Sequence, residues 1–128
     1  MINVYNKIIP FSGMKAMTVW PFLFIRSDCM TDKDMRHEEI HGRQQVEVLP
    51  IAYVLCALMV LFGCGWWSLL ALPLYLWVYI ALWLVMLITG KENTYKSNPL
   101  EREAYMFDGD VTYLERRRPF AWFTYLKL

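Results

Sequence analysis

The stretch "DMRHEEIHGRQQVEVLP", residues 34–50, holds both histidines of the chain, His37 and His41, four residues apart with Glu38 directly after the first. It leads straight into a run, 48–90, that contains no charged residue. Ahead of it, Thr31 or Asp32 is suited to an N-cap and Asp34 to the first turn, so the pattern predicts a helix over 31–47. On a helix, side chains four apart stand one turn above the other on a common face. Two imidazoles so placed are ligands for one zinc ion, and the intervening glutamate is placed as general base towards an activated water. A polar helix with two ordinary solvated histidines spells the same letters, so the rest of the chain has to separate the two readings. Glu39 reads as a solvated neighbour, while Gln44 and Gln45 suit either backbone contacts at a cleft or an exposed face.

Forty-three uncharged residues are too many for one membrane span of about 20 residues and fit two with a tight turn. The turn falls at "FGCGWW", residues 62–67, where two glycines loosen the backbone and two tryptophans favour the headgroup level. Helices are expected over 48–62 and 67–89, with Pro50 and Pro73 kinking but not ending them. The first is short unless the preceding polar helix continues into it. The amino-terminal 20 residues lack the succession of a cleaved signal peptide. Arg36, Arg43, Lys91 and Lys96 flank the hairpin and its far turn is uncharged, which places both termini in the cytoplasm. A greasy helical pair buried in a large soluble oligomer is the alternative.

Composition agrees with a bilayer: mean hydropathy is positive, and 16% of the 128 residues are aromatic. Thirteen basic residues against 12 acidic ones give no field to attract nucleic acid. Cys29, Cys56 and Cys64 form an odd set without CxxC spacing, so neither a disulfide framework nor a thiolate metal site is expected. Residues 16–26 are rich in β-branched and aromatic side chains with a proline midway, which predicts an extended edge strand within an extended region over 1–30. Its role is packing over the histidine helix, anchoring to lipid, or lending backbone groups to an extended substrate.

Beyond the hairpin, Asn98 as N-cap, Pro99 at the first helical position and Glu101 three residues after the cap predict a helix over 98–118. Its stripe is Leu100, Ala104, Phe107, Val111 and Leu114; Glu101, Tyr105, Asp108 and Thr112 lie on the neighbouring face. An open zinc site needs a third protein ligand, and either Glu101 or Glu103 is able to supply it. A capping-box role for Glu101 would hold its carboxylate on its own helix. "DGD", 108–110, reads as a turn or helix interruption rather than a calcium loop. "ERRRPFAWF", 115–123, joins basic residues to aromatics, and 119–128 suits an interfacial tail.

"HEEIHGRQQ" together with "NPLEREAY" resembles the HExxH zinc metallopeptidases of the gluzincin kind, which carry HExxHxxQQ and a downstream ExEAD or ExxAD segment. The layout also resembles short bacterial membrane proteins with HExIHxRQQ and FEREAY elements. The resemblance implies His37, His41 and Glu101 as zinc ligands and Glu38 as general base. Tyr105 stands where the family carries an aspartate supporting a histidine, a role that Tyr105 or Asp108 would take over. The implied molecule is a mainly α membrane protein of one domain: a two-helix transmembrane hairpin bearing a small cytoplasmic zincin-like domain. That domain is made from the extended segment, the HExxH helix and the carboxy-terminal helix, in a bacterial inner membrane. The implied activity is zinc-dependent hydrolysis of peptide bonds near the cytoplasmic membrane surface, with Tyr105, Tyr113 and Arg102 as candidates to steady an oxyanion. The residues outside the spans give little wall for a deep specificity cleft, so a homo-oligomer or a membrane partner protein is a further expectation. The rival is a non-catalytic scaffold or accessory subunit with a structural metal or none.

Overall fold

Thr31 starts the longest element of the chain. Its hydroxyl accepts from the Asp34 N–H at 3.1 Å while the Asp34 carboxylate accepts from the Thr31 N–H at 3.0 Å, which satisfies two donors that a helix start leaves unpaired. From this cap, helix α1, Asp32–Leu61, runs for 30 residues and passes through Pro50. The computed structural model describes residues 1–8, 14–26 and 30–126, and Cys29 lies outside them. The HExxH turns and the first half of the uncharged run are therefore one rod of about 45 Å, longer than a hydrocarbon core of about 30 Å. Within it, His37, Ile40, His41, Gly42, Gln44, Val48 and Ala52 are buried, and no residue after Ala52 is.

The chain turns at Gly63 and Gly65, whose φ values of 80° and 57° lie in the left-handed region that a Cβ disfavours. A 3₁₀ segment, Gly65–Ala71, and helix α2, Leu74–Ile88, follow with a bend of 63° between them. This corrects the single helix expected over 67–89: Pro73 stands at the N-cap of α2 and has no N–H to continue the preceding ladder. Helix α1 is long and apolar enough to cross a membrane, and the bent pair qualifies as a second span only when taken together.

Strands β1, Ile2–Tyr5, β2, Ala16–Val19, and β3, Phe22–Ile25, form a sheet of order β1-β3-β2. β1 is parallel and β2 antiparallel to β3. The segment 16–26 is thus a hairpin rather than one extended strand, with Trp20 and Pro21 in its turn, where the ladder needs no N–H. Ala16, Leu23 and Ile25 pack with Met30 and Met35 into a small core.

After a single turn of helix, α3, Thr94–Ser97, comes α4, Pro99–Phe107, and then α5, Tyr113–Arg116. The helix expected over 98–118 is broken because Asp110 Oδ1 accepts from both the N–H and the hydroxyl of Thr112 at 3.0 Å, a local turn that replaces helical bonding. Val111 is in consequence exposed, off the apolar stripe. Leu100 and Ala104 remain buried, and Ala104 joins Ile40 and Tyr113 in a second core. A last 3₁₀ turn, Ala121–Tyr125, buries Trp122. The whole is one mainly α-helical unit.

Arg117 ties its ends together. Its side chain, 4% exposed, bonds Glu47 of α1 and Glu103 of α4, and Tyr113 donates to Glu103 Oε1 at 2.8 Å. The surrounding carboxylates hold the guanidinium charged despite burial. Removing one member of such a set strands the other charges. Arg117→Ala is expected to lower the unfolding free energy by about 3–5 kcal/mol, read by denaturant titration in detergent micelles; a loss below about 1 kcal/mol contradicts the assignment.

Candidate metal centre

Helical spacing brings His37 and His41 together as the sequence requires. Their Nε2 atoms are 3.2 Å apart. Glu101, at the third position of α4, brings its Oε2 to 3.3 Å from His37 Nε2 and 3.4 Å from His41 Nε2. Ligand atoms bound at about 2.0–2.1 Å to a tetrahedral zinc lie about 3.3–3.4 Å from each other, so the three atoms already form one face of such a tetrahedron. His37, His41 and Glu101 are 9%, 7% and 4% exposed. Glu101 Oε2 is a buried oxygen with no aligned hydrogen bond, although the two imidazoles are within ion-pair reach. A buried carboxylate oxygen in that state is costly unless a cation completes it. The donor set, two imidazoles and one carboxylate, fits zinc.

The arrangement decides between the two glutamates. Asn98 caps α4 through its Oδ1, which accepts from the Leu100 N–H at 3.1 Å, and its Nδ2 donates to the Tyr79 carbonyl at 3.2 Å. The cap leaves Glu101 out of a capping box, and Tyr79 donates to Glu101 Oε1 at 2.9 Å, turning the other oxygen to the histidines. Glu103 points away, to Arg117, Tyr113 and Gln44. Burial works against the Glu101 charge, but the two imidazoles and the Tyr79 hydroxyl outweigh it and hold the carboxyl well below its usual range.

Each imidazole is braced from behind. Gln44 Nε2 donates to the Leu100 carbonyl at 3.0 Å and to Glu103 Oε2 at 2.9 Å, which forces its Oε1 towards His41 Nδ1 at 3.0 Å. Nδ1 must then carry a proton, leaving Nε2 as the ligand atom. Asp108 Oδ2 lies 3.5 Å from His37 Nδ1, and Arg36 Nε donates to the Asp108 carbonyl at 2.7 Å. Tyr105 packs edge-on against the His37 ring at a centroid distance of 4.5 Å.

Glu38 stands beside the triad. Thr18 of β2 donates its hydroxyl to Glu38 Oε2 at 2.7 Å, and Gln45 grips the same strand by donating to the Thr18 carbonyl and accepting from the Trp20 N–H, both at 2.7 Å. Thr18, Tyr75 and Tyr79 were not singled out from the sequence. The tyrosines, four apart in an uncharged run, were a legible signal of a polar face; nothing local marks Thr18. A cavity of about 520 Å³ opens at Glu38, His41 and Glu101. The triad matches the gluzincin-like HExxH plus glutamate pattern, and its geometry is consistent with a zinc-metallopeptidase active site. No family model matches the chain, and no curated protein or solved structure matches it.

Two outcomes follow. Gln44→Met removes the brace on His41 and is expected to weaken zinc binding by about 10–100-fold, measured by competition with a chelating dye; unchanged affinity contradicts the role. Burial works against a charged His41, but the Glu101 carboxylate beside it outweighs this and raises the imidazole to about 9 in the metal-free site. A metal must displace that proton, so zinc affinity rises with pH up to about 9 and falls on acidification. Calorimetry at pH 7 in buffers of different ionisation enthalpy should show proton release, and its absence contradicts the pairing.

Proposed function

We propose that the chain is a zinc-dependent peptidase seated in a bacterial cytoplasmic membrane, with its site at the cytoplasmic surface. The observation that carries the reading is the buried triangle of His37 Nε2, His41 Nε2 and Glu101 Oε2, with edges of 3.2, 3.3 and 3.4 Å. The cluster has three protein ligands among the described residues, the number of an open catalytic site rather than of a closed structural one. Zinc held there supplies Lewis acidity to a scissile carbonyl and to the attacking water. Glu38, oriented by the Thr18 hydroxyl, takes the proton of that water and returns it to the leaving amine. Tyr105, against His37, is the side chain we assign to steady the developing oxyanion, with Tyr95 beside it at the cavity wall.

The membrane setting rests on α1. Only 17% of its most apolar 18-residue window is buried within the protein, and Tyr53, Val54, Leu58, Val60 and Leu61 are exposed. An exposed apolar surface of this extent marks a lipid or protein interface. Arg43, Lys91 and Lys96, flanking the uncharged run, favour the cytoplasmic side.

Metal content and peptide hydrolysis, measured together, separate the roles. His37→Ala should lose stoichiometric zinc, whereas Glu38→Gln should keep it and lose hydrolysis by about 10²–10⁴-fold. Full hydrolysis in Glu38→Gln, or zinc-free wild-type protein that hydrolyses as well as the loaded form, contradicts the reading.

A further inference from the structure

The triad lies between two cavities of opposite character. The first, about 520 Å³, touches Glu38, His41 and Glu101 and runs into the uncharged part of the fold along Val48, Leu49, Ala52, Leu72 and Leu76. The second, about 460 Å³, touches His37 and Glu38 and is bordered by Lys15, Lys33, Asp34 and Asp108. Met14, Ala16, Glu38 and Tyr95 line both, so the two adjoin at Glu38, one apolar and the other charged.

Strand β2 borders both cavities. The Arg26 N–H donates to the Lys15 carbonyl at 2.8 Å, which sets the phase of the β2–β3 ladder: residues 15, 17 and 19 face β3, while 16, 18 and 20 face away. Gln45 fills the Thr18 carbonyl and the Trp20 N–H. Among the described residues the Ala16 N–H, the Ala16 carbonyl and the Thr18 N–H have no hydrogen-bond partner; Ala16 and Thr18 are buried, and Ala16 lines both cavities. Unfilled backbone groups of an edge strand pair with another extended chain, and a lipid acyl chain has nothing to offer them. Gln45 also ends the pairing edge towards the apolar cavity, so a bound chain pairs only near Ala16 and must enter the first cavity by its side chains.

We propose that the substrate is a membrane-anchored polypeptide cut where it leaves the bilayer, with apolar side chains seated between Leu49 and Leu76 and a polar continuation lying over Lys15 and Lys33. This inference rests on the peptidase reading above and names its substrate class.

The test uses zinc-loaded, full-length Glu38→Gln protein in lipid nanodiscs and a peptide made of a leucine-rich block followed by a glycine-serine-asparagine tail. A photoreactive residue in the block should label the segment around Leu49 or Leu76, and one in the tail should label the segment around Lys33. Leu49→Asn and Leu72→Trp, each checked for full zinc content, should weaken labelling by the block by about tenfold or more; lipid partitioning of the peptide is the same for each protein, so the change reads the cavity. Unchanged labelling in both variants overturns the proposal. So does equal competition by the same tail carrying an N-acyl chain in place of the block. Wild-type protein that shows the labelling but cleaves nothing leaves the substrate site standing and removes the hydrolase. Cleavage of the soluble tail as fast as of the anchored peptide leaves the hydrolase standing and removes the proposal.

Discussion

Glu101 is a carboxylate held almost out of water with one oxygen that no aligned hydrogen bond reaches. Desolvating a carboxylate costs several kcal/mol unless charge or hydrogen bonds repay it. Here the repayment is directional: Tyr79 satisfies one oxygen, and the other is left against two imidazole nitrogens. The surrounding fold serves this constraint. Asn98 fixes the start of α4 to α2, Gln44 and Asp108 set the backs of the two imidazoles, and the Arg117 cluster keeps Glu103 from competing for the same position.

The same helix that presents the histidines continues into the apolar run. A site built on a continuous rod keeps a fixed position relative to the apolar half of that rod. The apolar elements also take part in the site itself, since Tyr75 and Tyr79 of α2 reach Gln44 and Glu101. A small chain gains enough interior for a buried metal centre by sharing it in this way between polar and apolar elements.

The histidine pair and Glu38 were legible because their geometry follows from helical spacing alone. Glu101 against Glu103 was not: side chains two apart on a helix point to nearly opposite sides, and which side meets the histidines depends on Arg117 and on Tyr79, 14 and 22 residues distant. The capping signature at Asn98 was read correctly as a helix start, but the cap bonds the Leu100 N–H and frees Glu101. The approach of Asp108 to His37 needed α1 and the end of α4 to be packed together, as the Arg36 contact to the Asp108 carbonyl shows. The hairpin within residues 16–26 was missed because its proline was read as an edge-strand feature rather than as a turn. Thr18 was invisible because its contact with Glu38 crosses from strand to helix, 20 residues away.

Zinc K-edge X-ray absorption on the purified protein, loaded with one equivalent of zinc, tests the centre most directly. The account predicts a first shell of four nitrogen or oxygen atoms at about 2.0–2.1 Å with the outer-shell scattering of two imidazoles. A sulfur shell at about 2.3 Å, a single imidazole, or failure to hold the ion would contradict it.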